Sequence, residues 1–325
     1  MSSLEPHNTA VTSFNANHAS YDQLRPSFDD KIVNAFLSNL GLKDNDKYRT
    51  DKKILELASG TGKFTKCLVE RGWEHGNIEV VEPSSGMLDT FRKNFPKVKA
   101  KLGSSYEIPA EDSSIDAVVV AQGFHWFSDL DSLKEINRVL KKDGYFGCIW
   151  NYDCPTIGQT LLNLDAKINY IFEGPEKSHF DSLVRVKPRS LNKPLEISNE
   201  FFEQSPWAIA VAEHVYSYDI KVPQYRRAVW RKLLNSSEAA SLFTPILDEN
   251  FLLFMTTTTP DDVFKLWETR SYITELSNEK KEELRLKIND ILSKTVRESD
   301  KINDNESTLL KKALGTHTIT TRALK

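Results

Sequence analysis

Cysteine is scarce in this 325-residue chain: there are three, Cys67, Cys148 and Cys154, and no two form a C-x-x-C pair. So small and odd a number leaves a disulfide framework or a zinc site without support, so no metal is expected, and it fits a reducing compartment. An excess of one charge is missing as well. Forty-three Lys and Arg face 46 Asp and Glu, a formal net charge of -3, and the signs are interspersed. No basic stripe is available to track nucleic-acid phosphates. No apolar run approaches the roughly 20 residues that span a bilayer. The N-terminus, MSSLEPHNTAVTSFNANHAS, carries an early acid and no apolar core, unlike a secretory signal or an Arg-rich transit peptide. The expectation is a soluble, cytoplasmic monomer whose partner is a small molecule, with no nucleic acid and no membrane span.

What is present is a rhythm. From Ile54 to Gly147 short apolar runs alternate with amphipathic stretches, the pattern of a parallel sheet covered by crossover helices. KILEL, NIEVVE, VKAKL, IDAVVVA and YFGCIWN read as strands, with helices over Phe64–Arg71, Ser85–Asn94 and Leu130–Leu140 between them. In the last helix Leu133, Ile136 and Leu140 recur at helical spacing. Ser128 and Asp131 resemble a capping box, and Lys141, Lys142 and Gly144 are expected to close the C-terminus. Beyond Asn151 prolines and aromatics interrupt the pattern. NFLLFMTTTT then reads as a strand, PDDVFKLWETRSYITEL as one helix opened by proline, KEELRLKINDILSKTV as an amphipathic helix and THTITTRAL as a final strand. The expected fold is α/β: a doubly wound, mostly parallel, seven-stranded Rossmann-like sheet with a helical cap inserted after the fifth strand. Residues 1–50 would form an N-terminal lid and first helix, 51–151 the core, 152–245 the cap, and 246–325 the elements that complete the sheet.

The first strand runs into a bare turn, ELASGTGKF. A P-loop needs glycine five residues before G-K and a hydroxyl after it. Leu57 and Phe64 occupy those two positions, so that reading fails. The dinucleotide fingerprint matches at Gly60 and Gly62 but has Thr65 for its third glycine, with Glu82 at the end of the second strand placed to hold a ribose diol. Glu56, inside the strand, changes the sign of the preferred ligand: a carboxylate there repels pyrophosphate and attracts an amino group. A positive or zwitterionic ligand carrying a ribose fits, and S-adenosylmethionine is the candidate.

ILELASGTGKFT, VVEPSSGML, SSYEIPAEDSSIDAVVVAQGFHWF and LKEINRVLKKDGYFGCIWN resemble, in order, the motifs of class I S-adenosylmethionine-dependent methyltransferases. HWF and ASYDQLRPSF resemble the fungal small-molecule enzymes that include trans-aconitate and cantharidin methyltransferases. The resemblance implies that Glu56 holds the methionine amino end through the loop or a water and that Ala58, Gly60 and Gly62 give backbone approach. It places Glu82 on the ribose hydroxyls, Pro83 and Met87 beside adenine, Ser105 and Tyr106 at the adenine edge, and Gln122 and Gly123 beneath the methionine portion. Relatives often carry an acid at the position of Tyr106, where a tyrosine can stack or donate instead. Tyr21 and Arg25 would belong to the lid, and Trp267, Arg270 and Tyr272 would face the substrate.

His125 and Trp126 follow the fourth strand at its C-terminal end, where open α/β sheets bind ligands. Trp126 suits packing and pocket lining equally, whereas His125 is the candidate catalytic group. Arg226, Arg227 and Arg231, with Arg185, Lys187 and Arg189, read as solvated surface. Methyl transfer from a sulfonium is an in-line displacement that depends on positioning and exclusion of water. With one histidine as the plausible base, an already ionised carboxylate is the expected acceptor, held by arginine and oriented by His125. Two alternatives remain open: a binding protein with this fold and no turnover, and an NAD-dependent dehydrogenase.

Overall fold

The computed structural model describes residues 5–9, 11, 24–155, 166–186, 194–219, 222–304 and 307–325. Tyr21, Lys187 and Arg189 lie outside them. Helix α1 (Asp30–Asn39) and a small ribbon, β1 (Lys43–Asp44) with β2 (Lys47–Tyr48), lead into β3 (Ile54–Leu57). There follow α2 (Lys63–Glu70), β4 (Ile78–Glu82), α3 (Ser85–Asn94), β5 (Lys99–Leu102), β6 (Ile115–Ala121), α4 (Leu130–Val139) and β7 (Leu140–Tyr152). Strand β8 (Lys167–Glu173) precedes helices α5 (Lys177–Val186), α6 (Pro194–Phe202), α7 (Pro206–Tyr216) and α8 (Val229–Leu234). The chain continues with β9 (Asp248–Thr258), α9 (Pro260–Glu268), α10 (Ser271–Thr274), α11 (Asn278–Thr295), β10 (Lys301–Asp304) and β11 (Ser307–Arg322).

Nine strands form one mixed sheet in the order β5-β4-β3-β6-β7-β11-β9-β8, with β10 beside β11. Strands β3 to β7 pair in parallel, and β8 is parallel to β9. Strand β11 runs antiparallel to all three of its neighbours. The expected seven-stranded, mostly parallel sheet is therefore corrected on two counts. One added strand, β8, comes from the stretch read as a helical cap. The other follows from the length of β11: β7 covers it from Gly315 to Arg322, and β10 pairs with Ser307 to Leu310 on the same side, covering an edge that would otherwise be open.

Period-two alternation buries both faces, as a parallel sheet requires. Leu55, Leu57, Val81, Val118 and Val120 enter one core, while Ile54, Ile78, Val80, Ala117 and Val119 enter the other. Helix α4 is capped by Asp129, whose carboxylate accepts from Ser132 N at 2.9 Å, not by the expected Ser128–Asp131 box. Its C-terminus also differs. The carbonyls of Arg138 and Val139 accept from Ser113 N and Ser114 N at 2.9 and 3.0 Å, so the helix passes straight into β7. Lys141 pairs instead with Asp116 at 2.8 Å. The helix expected across Pro260 to Leu276 breaks at Arg270, whose extended backbone (φ -73°, ψ 135°) caps α10.

Candidate functional site

The turn after β3 is held open by backbone geometry. Ala58, Gly60 and Gly62 have φ of 57°, 58° and 93°, a region that disfavours side chains. A Cβ on Gly62 would stand 2.5 Å from Phe95 and 2.8 Å from Phe91, whereas one on Gly60 would meet nothing within 4 Å. Gly62 thus lets α2 and α3 approach, and Gly60 leaves space above the turn. Glu82 ties the turn to the next strand: one carboxylate oxygen accepts from Gly60 N at 2.8 Å, the other from Ser84 N at 2.9 Å. Burial pushes its pKa up to about 7, against the pull of those two amides.

Glu56 is fully buried, and Thr65 donates its hydroxyl to Glu56 Oε2. The residue that spoils the dinucleotide fingerprint is therefore the one that holds this acid. Burial raises the Glu56 pKa to about 8, with Thr65 opposing and the Glu82 charge adding to the rise. Its Oε1 is buried without a hydrogen-bond partner among the described residues. That orphaned acceptor fits an amino group, and the lone pairs left on Glu82 fit a diol.

A cavity opens over the C-terminal ends of β3, β4, β6 and β7. Ala58, Gly60, Glu82, Pro83 and Met87 line it, and so do Ser105, Gln122, Gly123, Trp126, Arg25 and Arg270. Glu56 and Gly62 stand behind this wall. Tyr106 does not line it: its hydroxyl donates to Asp129 Oδ2 at 2.8 Å, while Ser104 and Ser105 take the cavity face. Pro6 and His7 close one side, the His7 ring standing 5.4 Å from Trp126.

A second cavity adjoins the first. Arg25, Gln122, Trp126, Asn151, Tyr152, Asp153 and Arg270 line both, and His125, Tyr216, Gln224, Tyr225, Arg226, Ser271 and Tyr272 complete the second. Arg25 donates to Thr269 Oγ1 at 2.7 Å. Asp153 pairs with Arg270 and, at 2.8 Å, with Lys312 Nζ. Burial alone would raise the Asp153 pKa, but Lys312, Arg270 and Arg25 together hold it well below the usual carboxylate range. His125 is pushed down to about 3 by burial and by the charge of Arg270, so its imidazole is neutral at pH 7. Both His125 Nδ1 and the Tyr272 hydroxyl are buried without a partner among the described residues. Trp267 lines neither cavity. It backs the second, packing edge-on to Tyr216 at 5.7 Å under the Arg270 guanidinium at 5.1 Å.

Two arginines read as solvated surface are placed otherwise. Arg226 lines the second cavity and pairs with buried Asp219 at 2.9 Å. Arg231 is wholly buried against Glu249, 3.1 Å between Nη1 and Oε2. Arg227 is partly exposed and shares Asp219 at 2.9 Å. Asp153 escaped the sequence reading, although its position at the C-terminal end of β7 was a usable signal.

Residues 55–148 match the family model described as a methyltransferase domain. S-adenosylmethionine is the cofactor of this domain. The chain is 38% identical over 145 residues to an uncharacterized methyltransferase-like protein of Schizosaccharomyces pombe, covering 43% of this chain and 52% of that protein. It is 36% identical over 139 residues to an uncharacterized methyltransferase of Mycobacterium bovis, again 43% and 52%. A demethylmenaquinone methyltransferase of Thermotoga maritima is 38% identical over 94 residues, covering 29% and 41%. The chain thus spans about half the length of the first two of these curated relatives. No helix among the described residues is long and apolar enough to cross a membrane.

Proposed function

We propose that the protein is an S-adenosylmethionine-dependent methyltransferase that esterifies a small carboxylic acid bound in the second cavity. The observation that carries this reading is the charge of that cavity: the guanidiniums of Arg25 and Arg270 stand against the single lining carboxylate of Asp153, while Arg226, also in the lining, is paired with Asp219 behind it. A lining of that sign favours an anion. The resemblance to trans-aconitate and cantharidin type enzymes supports a di- or tricarboxylic acid or a xenobiotic acid. Residues 152–245 would act as the cap that selects it, contributing Tyr216, Gln224, Tyr225 and Arg226.

Glu56, behind the wall of the first cavity, would hold the amino end of the cofactor through the turn or a bridging water, while within the cavity Glu82 would meet the ribose hydroxyls, and Met87, Pro83 and Ser105 the adenine. The bound cofactor supplies an electrophilic methyl group on a sulfonium, and the C–S electron pair stays on sulfur. Arg25 and Arg270 hold the acceptor carboxylate at the junction of the cavities, where one of its oxygens forms the new O–CH3 bond. Neutral His125 donates an N–H to the other oxygen. No proton has to leave, because the carboxylate is ionised at pH 7.

The test is to incubate the full chain with methyl-labelled cofactor and a panel of di- and tricarboxylates, then identify the products by mass spectrometry. Methyl esters are expected. Label appearing on nitrogen or carbon alone would refute the ester reading.

A further inference from the structure

The junction between the two cavities carries a surplus of positive charge, which works against a cationic cofactor. A methyl group passing from one cavity to the other places sulfur and acceptor beside the residues common to both, and the charged ones are Arg25, Arg270 and Asp153. Behind them Lys312 is buried, its Nζ 2.8 Å from Asp153 Oδ1. Three cations therefore surround one carboxylate. That surplus suits an anionic acceptor but opposes a sulfonium, a permanent cation that cannot shed its charge by losing a proton.

We propose that Asp153 is a specificity-determining residue for the charged form of the cofactor: its carboxylate offsets the Arg25, Arg270 and Lys312 charges so that one junction accepts a sulfonium and an anion together. The inference rests on the cofactor assignment and the methyl-transfer reading above. The competing view gives Asp153 a structural task alone, neutralising a buried lysine. The two views differ in one observable. S-adenosylhomocysteine matches the cofactor in shape but carries a neutral thioether, so a charge effect changes the ratio of the two affinities and a structural defect changes both together.

Counting these four groups, the junction has a surplus of two positive charges in the wild type. The surplus is three in Asp153→Asn, one in Lys312→Met, and two again in the double variant. Calorimetry on the full-length proteins should show the preference for S-adenosylmethionine over S-adenosylhomocysteine falling about tenfold in Asp153→Asn and rising about tenfold in Lys312→Met. In the double variant it should return to the wild-type ratio. If Asp153→Asn fails to fold because Lys312 is left unpaired, the other two variants carry the test. Ratios that stay constant while both affinities fall would overturn the proposal. A wild-type protein that binds neither compound would overturn the cofactor assignment itself, and the proposal with it.

Discussion

Glu82 accepts a hydrogen bond from the backbone N–H of Gly60 at 2.8 Å, so the acid that ends β4 is fastened to the turn that follows β3. Its second oxygen is held by Ser84 N, leaving the carboxylate fixed with lone pairs toward the cavity. Glu82→Ala should weaken S-adenosylhomocysteine binding by about 10- to 100-fold, since charge-assisted hydrogen bonds contribute roughly 1.5–3 kcal/mol. Calorimetry checks this. Unchanged affinity would remove Glu82 from the ribose role.

Glu56 and Glu82 set a pH dependence of stability. Their pKa values are raised by burial to about 8 and about 7, from an ordinary 4.5. As pH rises past 4.5 the unfolded chain releases these protons while the fold keeps them, so the folded state loses stability until its own pKa is passed. His125 and His317, buried and lowered, act in the opposite direction, but only below their ordinary 6.5. Between pH 6.5 and 8 the ligand-free protein should therefore lose about 1–2 kcal/mol, seen as a falling melting temperature. Glu56→Gln should flatten that slope.

The legibility of the sequence followed the distance between partners along the chain. Glu56, the glycines and Glu82 lie within one strand-helix-strand unit, so spacing alone carried their arrangement. Arg270 and Asp153 are 117 positions apart, and Lys312 and Asp153 are 159 apart. No local pattern encodes such a cluster. Arg226 and Arg231 were misread for the same reason, because a charge on a helix reads as solvated until its buried partner is known. The two added strands were hidden differently: β8 lies in the loosely patterned stretch after Asn151, and β10 pairs with the part of β11 ahead of its recognised alternation.

Tyr106→Phe should leave the affinity for S-adenosylhomocysteine within about twofold, because the hydroxyl is spent on Asp129 and the ring stands outside the cavity. The loss should appear in stability instead, at about 0.5–1.5 kcal/mol in chemical denaturation. A large loss of affinity would return Tyr106 to the adenine edge.

Ala58 sits at φ 57°, where an L side chain costs about 1–2 kcal/mol. Ala58→Gly should relieve that strain at the expense of a more flexible unfolded chain, leaving a net gain of about 0.5–1 kcal/mol. Thermal melting of the ligand-free protein checks the sign.

Arg231, Glu249 and His317 are all buried, and together they join the cap to the sheet. Arg231 grips Glu249 with both terminal nitrogens. His317 Nε2 lies 2.8 Å from the same carboxylate, and Nδ1 lies 2.8 Å from the Tyr225 hydroxyl. Burial would raise the Glu249 pKa, but Arg231 and His317 bring it down to about 2, so the carboxylate is ionised. An ionised Glu249 accepts from His317 Nε2–H, which leaves Nδ1 to accept from the hydroxyl of Tyr225, a wall residue of the second cavity. Arg231→Met would strand that charge in the core and should cost about 3–5 kcal/mol. Adding Glu249→Gln removes the stranded charge, so the double variant should recover part of the loss, measured as the midpoint of urea unfolding. A double variant no more stable than Arg231→Met would show that the arginine acts through packing on Trp230, over whose ring it lies at 4.6 Å, rather than through its charge.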